Sequence, residues 1–238
     1  IPDPWTFRDD LAVAVEEAEK GGIVMVGIVP TSPSSAYGYI KPAFEAGSVG
    51  PVDSFAEKPD SPTAARYIAD GYLWNSGNFI AKAATLARAF EEQSPDTISA
   101  ARDGVASAFT THRGFILGER FLEAPKISFD YAVMENAINR AVVDLDAGWN
   151  DVGSWSSLWD ISVKDAQNNV HHGDVFSIDT ENTYVQSENR MVATLGVSDL
   201  VIVDTDDALL VADRKQAQGV KDIVALLQKN NREELQNH

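Results

Sequence analysis

Seven consecutive residues, Ile23–Val29 (IVMVGIV), carry no polar side chain. The run starts after Gly21-Gly22 and stops at Pro30, so it reads as a β-strand buried on both faces. Such a strand needs neighbours on either side and helices over the sheet, which fixes the class as α/β. The helix before it, read over Phe7–Lys20, turns Leu11, Val15 and Ala18 to one side and needs something to cover them. Few other strands are evident in the first hundred residues, so the expectation is the later part of a larger α/β domain.

A second organising stretch runs from Phe129 to Trp159, FDYAVMENAINRAVVDLDAGWNDVGSWSSLWD. Tyr131, Met134, Ile138 and Val142 share one face at helical spacing, predicting a helix. A strand candidate follows at Val142–Leu145, then Gly148–Gly153, then a second helix burying Trp155, Leu158 and Trp159. Asp151 therefore falls where a strand ends and a helix begins, the edge at which open α/β sheets bind ligands. It is either a ligand for a metal or polar substrate, or a cap on the helix at Trp155.

Net charge narrows the partners. At −17, with 19 basic and 36 acidic residues, the chain is no general nucleic-acid binder. An anionic substrate would need local help from lysine, arginine, a helix amino end or a divalent cation. The absence of cysteine excludes disulfides, thiolate metal sites and cysteine nucleophiles. No apolar run approaches a membrane span and no amino-terminal segment resembles a signal peptide, so no membrane partner is expected and a cytoplasmic location is.

Between these landmarks lie the polar candidates. Pro30–Ile40 is a turn-rich loop in which Gly38, between two tyrosines, would let a ligand approach the backbone, or would simply turn a hairpin. Glu45–Val49 reads as a polar loop, and Val52–Lys58 as a strand ending in Glu57-Lys58-Pro59. Adjacent residues on a strand point to opposite faces, but Pro59 ends the regular strand and lets both enter one pocket. Their chemistry is complementary: a carboxylate for sugar hydroxyls and an ammonium for phosphate; an exposed pair at a strand end is the plainer alternative.

Ser61–Ile68 reads as a helix with Pro62 in its first turn. Gly71–Trp74 reads as a strand edge and Asn75–Phe79 as a polar turn. Asn75 either reads a hydroxyl or ties down that turn. Helices are expected over Lys82–Glu92 and Thr97–Phe109, and Ser128 or Asp130 would cap the helix that follows.

The texture changes at Asp165–Asn169. Strand candidates over Gly173–Ile178, Thr183–Gln186, Met191–Leu195, Leu200–Val203 and Ala208–Val211 recur with turn residues between them, as in a compact β-rich unit or the coils of a β-helix. A last helix, Gln216–Lys229, places Val220, Ile223, Val224 and Leu227 on one face. The division expected is 1–165 and 166–238, the second part serving packing or oligomerisation. The four histidines make no site: His171 and His172 would diverge in a strand, His112 stands alone and His238 is terminal.

Taken together, FAEKPD at Phe55–Asp60, YLWNSGNF at Tyr72–Phe79, DYAVME at Asp130–Glu135 and GWNDVGSW at Gly148–Trp155 resemble the mannose-1-phosphate guanylyltransferases, in particular the bacterial class often fused to a mannose-6-phosphate isomerase cupin. GIVPTSPSSAYGYI at Gly27–Ile40 and the run Val201–Val224 extend the resemblance over essentially the whole chain. The resemblance implies part of a Rossmann-like nucleotidyltransferase domain followed by a small domain with left-handed β-helix turns and a terminal helix. It implies GTP and mannose 1-phosphate as substrates, GDP-mannose and pyrophosphate as products, and Mg2+ as cofactor. A homo-oligomer and a downstream cupin isomerase domain are the further partners it suggests.

By the same resemblance Asp151 is one of two magnesium-holding aspartates. Lys58 contacts the sugar phosphate, Glu57 holds sugar hydroxyls, Gly38 and Asn75 line the sugar pocket, and Asp130 supports or lines it. The family's glycine-rich signature and its first magnesium aspartate do not occur in these 238 residues. The expectation is a chain that does not turn over GTP by itself and has no isomerase activity. Ala36 stands where the family prefers glycine, and Asn78 where it usually has a hydrophobic residue. The competing readings are a non-catalytic assembly or regulatory module, and an enzyme for another hexose 1-phosphate.

Overall fold

All six residues of strand β1 (Ile23–Ile28) are buried, because the strand sits between two hydrogen-bonded neighbours with packed side chains on both faces. The computed structural model describes residues 1–44, 49–112 and 114–236. Residues 45–48 of the expected polar loop, and His238, lie outside them. The chain forms two compact units, Ile1–Trp149 and Asn150 onward.

The first unit opens with helix α1 (Pro4–Ala18), capped by Asp3, whose Oδ1 accepts from the N–H groups of Trp5 and Thr6. Phe7, Leu11, Ala14 and Ala18 pack inward. Val15, expected on that face, points to solvent: the stripe follows positions 7, 11, 14 and 18, and Val15 lies beside it. Strands β1, β2 (Tyr39–Pro42) and β3 (Val49–Ala56), helix α2 (Ser61–Ala69) and strand β4 (Leu73–Ile80) follow. Helices α3 (Ala83–Gln93) and α4 (Pro95–Ala106) and a hairpin of β5 (Phe109–Thr111) and β6 (Gly114–Ile116) lead to a single π-helical turn, Asp130–Met134, and to β7 (Arg140–Leu145).

Five strands close on themselves in the order β1-β4-β2-β3-β7. β1 and β7 run parallel, from Ile23 opposite Arg140 to Ile28 opposite Leu145. Val24, Val26 and Ile28 meet α1 and its neighbours; Ile23 and Met25 meet the π turn (Ala132, Val133, Met134) and α3. Both faces of β1 are thereby covered, as the apolar run demanded.

Two sequence expectations fail here for tertiary reasons. The helix expected from Tyr131 to Val142 stops after one turn, because Arg140–Leu145 pairs with β1 and β3 and buries Val142 and Val143 on opposite faces. Ile138 is left in the connecting turn, 92% exposed, and Tyr131 is half-exposed. The polar turn expected over Asn75–Phe79 is instead part of β4. The register jumps from Met25 opposite Phe79 to Gly27 opposite Asn75, so extra residues of β4 bulge out at Gly77, whose φ of +73° glycine adopts at little cost.

The second unit begins with helix α5 (Trp155–Ile161), whose Trp155, Leu158 and Trp159 pack on Val170, Tyr184, Val201 and Val203. Strands β8 (Val170–His172), β9 (Val175–Ile178), β10 (Tyr184–Ser187), β11 (Val192–Leu195) and β12 (Leu200–Asp204) stack in parallel, β8-β10-β12 in one sheet and β9-β11 in another. This is a parallel, β-helix-like arrangement. β13 (Leu209–Asp213) then turns back antiparallel on β12, and a 3-10 stretch leads to helix α6 (Val220–Lys229). The last helix starts later than expected, and Ile223 and Val224 on its apolar face are exposed.

Candidate functional site

The first unit gathers polar groups at one level of its sheet. Ala56 pairs with Tyr39, Tyr39 with Trp74, and Trp74 with Ile28. One step along from that row stand Gly38, Glu57 and Asn75, near the carboxyl end of β1.

Lys58 has a backbone φ of +46°, a left-handed conformation strained for a side chain of this kind. The reversal brings two adjacent side chains to one place: Lys58 Nζ donates to Glu57 Oε1 at 2.6 Å. The Glu57 side chain is 6% exposed and that of Lys58 57%, so the carboxylate is the inner member and the ammonium the outer one. The hydrogen bond to Glu57 raises the Lys58 pKa first; partial burial opposes it, and the charges of Glu57, Tyr131 and Asp130 add to it.

Gly38 faces this pair. A Cβ built on it would lie 2.5 Å from Glu57 Oε2, 3.3 Å from Asn75 Cβ and 3.4 Å from the tip of Phe55, so residue 38 cannot carry a side chain unless Glu57 moves. Asn75, 8% exposed, donates its backbone N–H to Gly38 O at 2.8 Å and its Nδ2 to Asp130 Oδ1 at 2.8 Å, while its Oδ1 accepts from Gly77 N–H at 3.1 Å. Beneath lie Tyr37, its ring 4.8 Å from that of Trp74, and a Tyr39 hydroxyl that accepts from Trp74 Nε1 and donates to Ser34 O.

Gly38, Glu57, Lys58, Asn75 and Asp130 thus come from separate segments of the chain to one place. Tyr131, read from the sequence as a core residue, is half-exposed and lies near Lys58; only its position beside Asp130 could have flagged it. The arrangement sets a buried acceptor, an amide and a solvent-facing cation around a glycine against which the Glu57 carboxylate lies closely. Those groups suit a ligand with hydroxyls at one end and an anion at the other.

Asp151 belongs to the second unit and is exposed. Its Oδ1 accepts from Gly153 N–H at 3.1 Å, and Asn150 Oδ1 accepts from Val152 N–H at 2.8 Å, so consecutive side-chain turns hold the segment. The helix cap is Ser154, whose Oγ accepts from Ser157 N–H at 3.1 Å, and the alternative of Asp151 as cap is set aside. Among the described residues no three His, Cys, Asp or Glu side chains group as a metal cage. A single exposed carboxylate still fits as one ligand of a magnesium ion, which keeps several waters and takes one or two carboxylates plus substrate phosphates. His171 bonds Ser177 Oγ at 3.0 Å and His172 lies against Tyr184, which are structural contacts.

A nucleotidyl transferase family model matches residues 3–168, and a mannose-phosphate isomerase/GMP-like beta-helix domain model matches residues 173–227. The mannose-1-phosphate guanylyltransferase of Escherichia coli (strain K12) is 44% identical over all of this chain and 51% of its own length. The xanthan biosynthesis protein XanB of Xanthomonas campestris is 42% identical over 98% of this chain and 50% of its own. The chain therefore spans about half the length of the curated relatives it matches. A crystal structure described as a mannose-1-phosphate geranyltransferase from Thermus thermophilus superposes with a TM-score of 0.83 at 36% identity, over 95% of this chain and 66% of that one.

Proposed function

The chain belongs to the nucleotidyl transferase family, and from that premise we propose that it carries the sugar-phosphate side of a mannose-1-phosphate guanylyltransferase. The observation that carries this reading is the convergence of Glu57, Lys58, Asn75 and Asp130 around Gly38, in a chain 44% identical to a protein of that name.

In this reading a phosphate oxygen of mannose 1-phosphate attacks the α-phosphorus of GTP. The new P–O bond forms as the bond to the departing bridging oxygen breaks, and pyrophosphate leaves. Lys58, protonated throughout the neutral range, supplies a compact charge for the sugar phosphate in a protein that is otherwise strongly acidic. Glu57 accepts from sugar hydroxyls, and Gly38, with no side chain, lets the Glu57 carboxylate sit against the backbone. No covalent enzyme intermediate is required, so the chain needs no nucleophilic constellation.

Family membership implies a divalent-cation-dependent reaction, and we assign Asp151 as one ligand of that cation. Magnesium, when bound, offsets the charge that develops across the phosphates. No helix of the described residues is long and apolar enough to cross a membrane. We further propose a cupin isomerase as a neighbouring domain in the longer protein, by analogy with the family's fused members.

The test is calorimetric titration of the chain with mannose 1-phosphate, with and without magnesium, beside Lys58→Gln and Asp151→Ala. The reading expects saturable binding, weakened at least tenfold by Lys58→Gln and made magnesium-independent by Asp151→Ala. A well-folded chain that binds no hexose 1-phosphate would instead fit the assembly-module reading.

A further inference from the structure

Asn75 is held so that its amide cannot turn over. Nδ2 donates to the Asp130 carboxylate at 2.8 Å and Oδ1 accepts from Gly77 N–H at 3.1 Å. Turned over, the amide would set its carbonyl oxygen against the carboxylate and its N–H against another N–H, replacing two attractions by two repulsions. These bonds account for Oδ1 and for one of the two Nδ2 protons. The remaining N–H is what the amide has to offer beside Gly38, where Glu57 offers an acceptor.

Asp130 is itself firmly presented. It opens the π-helical turn, and its carbonyl oxygen accepts from Glu135 N–H at 3.0 Å. At the far end Arg140 Nη1 donates to Met134 O at 2.6 Å and Glu135 O at 3.2 Å, closing the carbonyls that the turn leaves open. The carboxylate is thus delivered to Asn75 from a turn fastened at both ends, across 55 residues of sequence.

We propose that Asp130 is a positioning residue. By fixing Asn75 as a hydrogen-bond donor towards the sugar, it makes the pocket present one donor, Asn75 Nδ2, and one acceptor, Glu57 Oε2, in a set order, and so discriminates between epimeric hexose 1-phosphates. This rests on the sugar-phosphate reading of the site. It adds to that reading a role for Asp130 exerted through Asn75, and a consequence for specificity.

Charge separates this role from a merely structural one. Asp130 is one of the negative charges near Lys58, so replacing it with leucine removes the acceptor of Asn75 and a competitor for the ammonium together, and leaves phosphate attraction intact. Loss of scaffolding would weaken sugar and phosphate recognition together.

The experiment compares the unmodified chain with Asp130→Leu, which removes the acceptor of Asn75 Nδ2, and with the exchange Asn75→Asp/Asp130→Asn. Each is titrated calorimetrically with mannose, glucose and galactose 1-phosphates and with inorganic phosphate, and unfolded in urea. The unmodified chain is expected to prefer one epimer by about five- to tenfold, the worth of one well-placed hydrogen bond. Asp130→Leu, which leaves Asn75 Nδ2 without its acceptor, should compress that preference to about twofold or less, with phosphate affinity unchanged or higher. The exchange restores the hydrogen bond and the stability but turns a carboxylate oxygen towards the sugar, so the preference stays lost.

The assignment is overturned if Asp130→Leu keeps the preference, if the exchange restores it, or if phosphate affinity falls in step with sugar affinity. It is equally overturned if the unmodified chain binds all epimers alike. Should Asp130→Leu fail to fold, the exchange alone decides by whether the preference is present. An unmodified chain that binds no hexose 1-phosphate defeats the sugar-phosphate reading itself, and with it this role, before any variant is examined.

Discussion

Asn75 and Asn169 are both buried asparagines, and the two units use them in opposite ways. Asn169 bonds backbone to backbone: Nδ2 donates to Thr180 O at 2.7 Å and Oδ1 accepts from Thr183 N–H at 3.0 Å, linking successive coils of the β-helix-like unit. Around it Thr180, Thr194, Ser177 and His171 pass hydrogen bonds along one line. The one carboxylate contact of the Asn169 amide, to Asp165 Oδ2 at 3.3 Å, lies four residues away. Asn75 bonds instead to a carboxylate brought from a segment 55 residues away, beside the Glu57 carboxylate that lies against Gly38. A buried amide that closes backbone groups is a staple; one oriented by a distant carboxylate among polar groups of the site is set up to meet something else.

The largest effect should come from breaking the staple. Asn169→Ala leaves Thr180 O and Thr183 N–H buried without that partner and should cost about 2–4 kcal/mol. Asn75→Ala should cost less stability, because Gly77 N–H lies at a bulge and Asp130 is only half-buried. It should nonetheless abolish measurable selectivity among hexose 1-phosphates. Urea unfolding of both variants checks the first statement and calorimetry the second; equal stability losses would erase the contrast.

Gly38→Ala should come next. The added Cβ must displace Glu57 Oε2, which is already tied through its partner oxygen to Lys58. Since Glu57 can swing outward, the expected stability loss is about 1 kcal/mol, while hexose 1-phosphate affinity falls about tenfold or more. Unimpaired binding would show that Glu57, where it lies against Gly38, does not hold the sugar.

How much of this was legible in the sequence differs between the regions. The apolar run at Ile23 announced a doubly covered strand, and regular spacing announced the coils after Asn169, because both signals are local. The helix expected over Tyr131–Val142 had the right period. It lost to β7, whose pairing with two strands secures more backbone bonds and buries Val142 and Val143 together. Turn chemistry at Asn75–Gly77 was real but takes the form of a bulge inside a strand, a distinction that only the partner strand makes. Within the site, Glu57 and Lys58 were visible as neighbours, whereas the bond from Asn75 to Asp130 has no sequence period and no motif that spans it.

Strain offers a third way to sharpen the comparison. Lys58 is a non-glycine residue in the left-handed region, at the site where the function is proposed. In the second unit Asn168, Asp179, Asn182 and Asp199 adopt similar φ values in the turns between strands, where Asn and Asp tolerate them. Lys58→Gly should therefore stabilise the fold by up to about 1 kcal/mol while weakening phosphate binding, a gain and a loss that Asn182→Gly would not combine. A Lys58→Gly chain that is less stable than the parent would mean that the ion pair with Glu57 outweighs the strain.

The smallest effect separates the units by pH. Asp165 loses stability to partial desolvation, but N–H groups of Asn169 and Gln167 and the Asn169 side chain donate to it and together hold its pKa below the usual 3.8. A depressed folded-state pKa means that the unfolded chain takes up the proton first. The stabilisation is therefore complete above the unfolded value and is lost as pH falls through the folded one. Lys58, raised by its bond to Glu57, behaves in the opposite sense, contributing below the ordinary lysine range and losing that contribution as pH rises through its folded value. Unfolding followed between about pH 2 and 6, where only the first group titrates, should show Asp165→Asn flattening the acid limb of the second unit's transition and leaving that of the first unchanged. An unaltered acid limb in that variant would mean that the bonds to Asp165 persist in the unfolded chain, or that other carboxylates set the acid response.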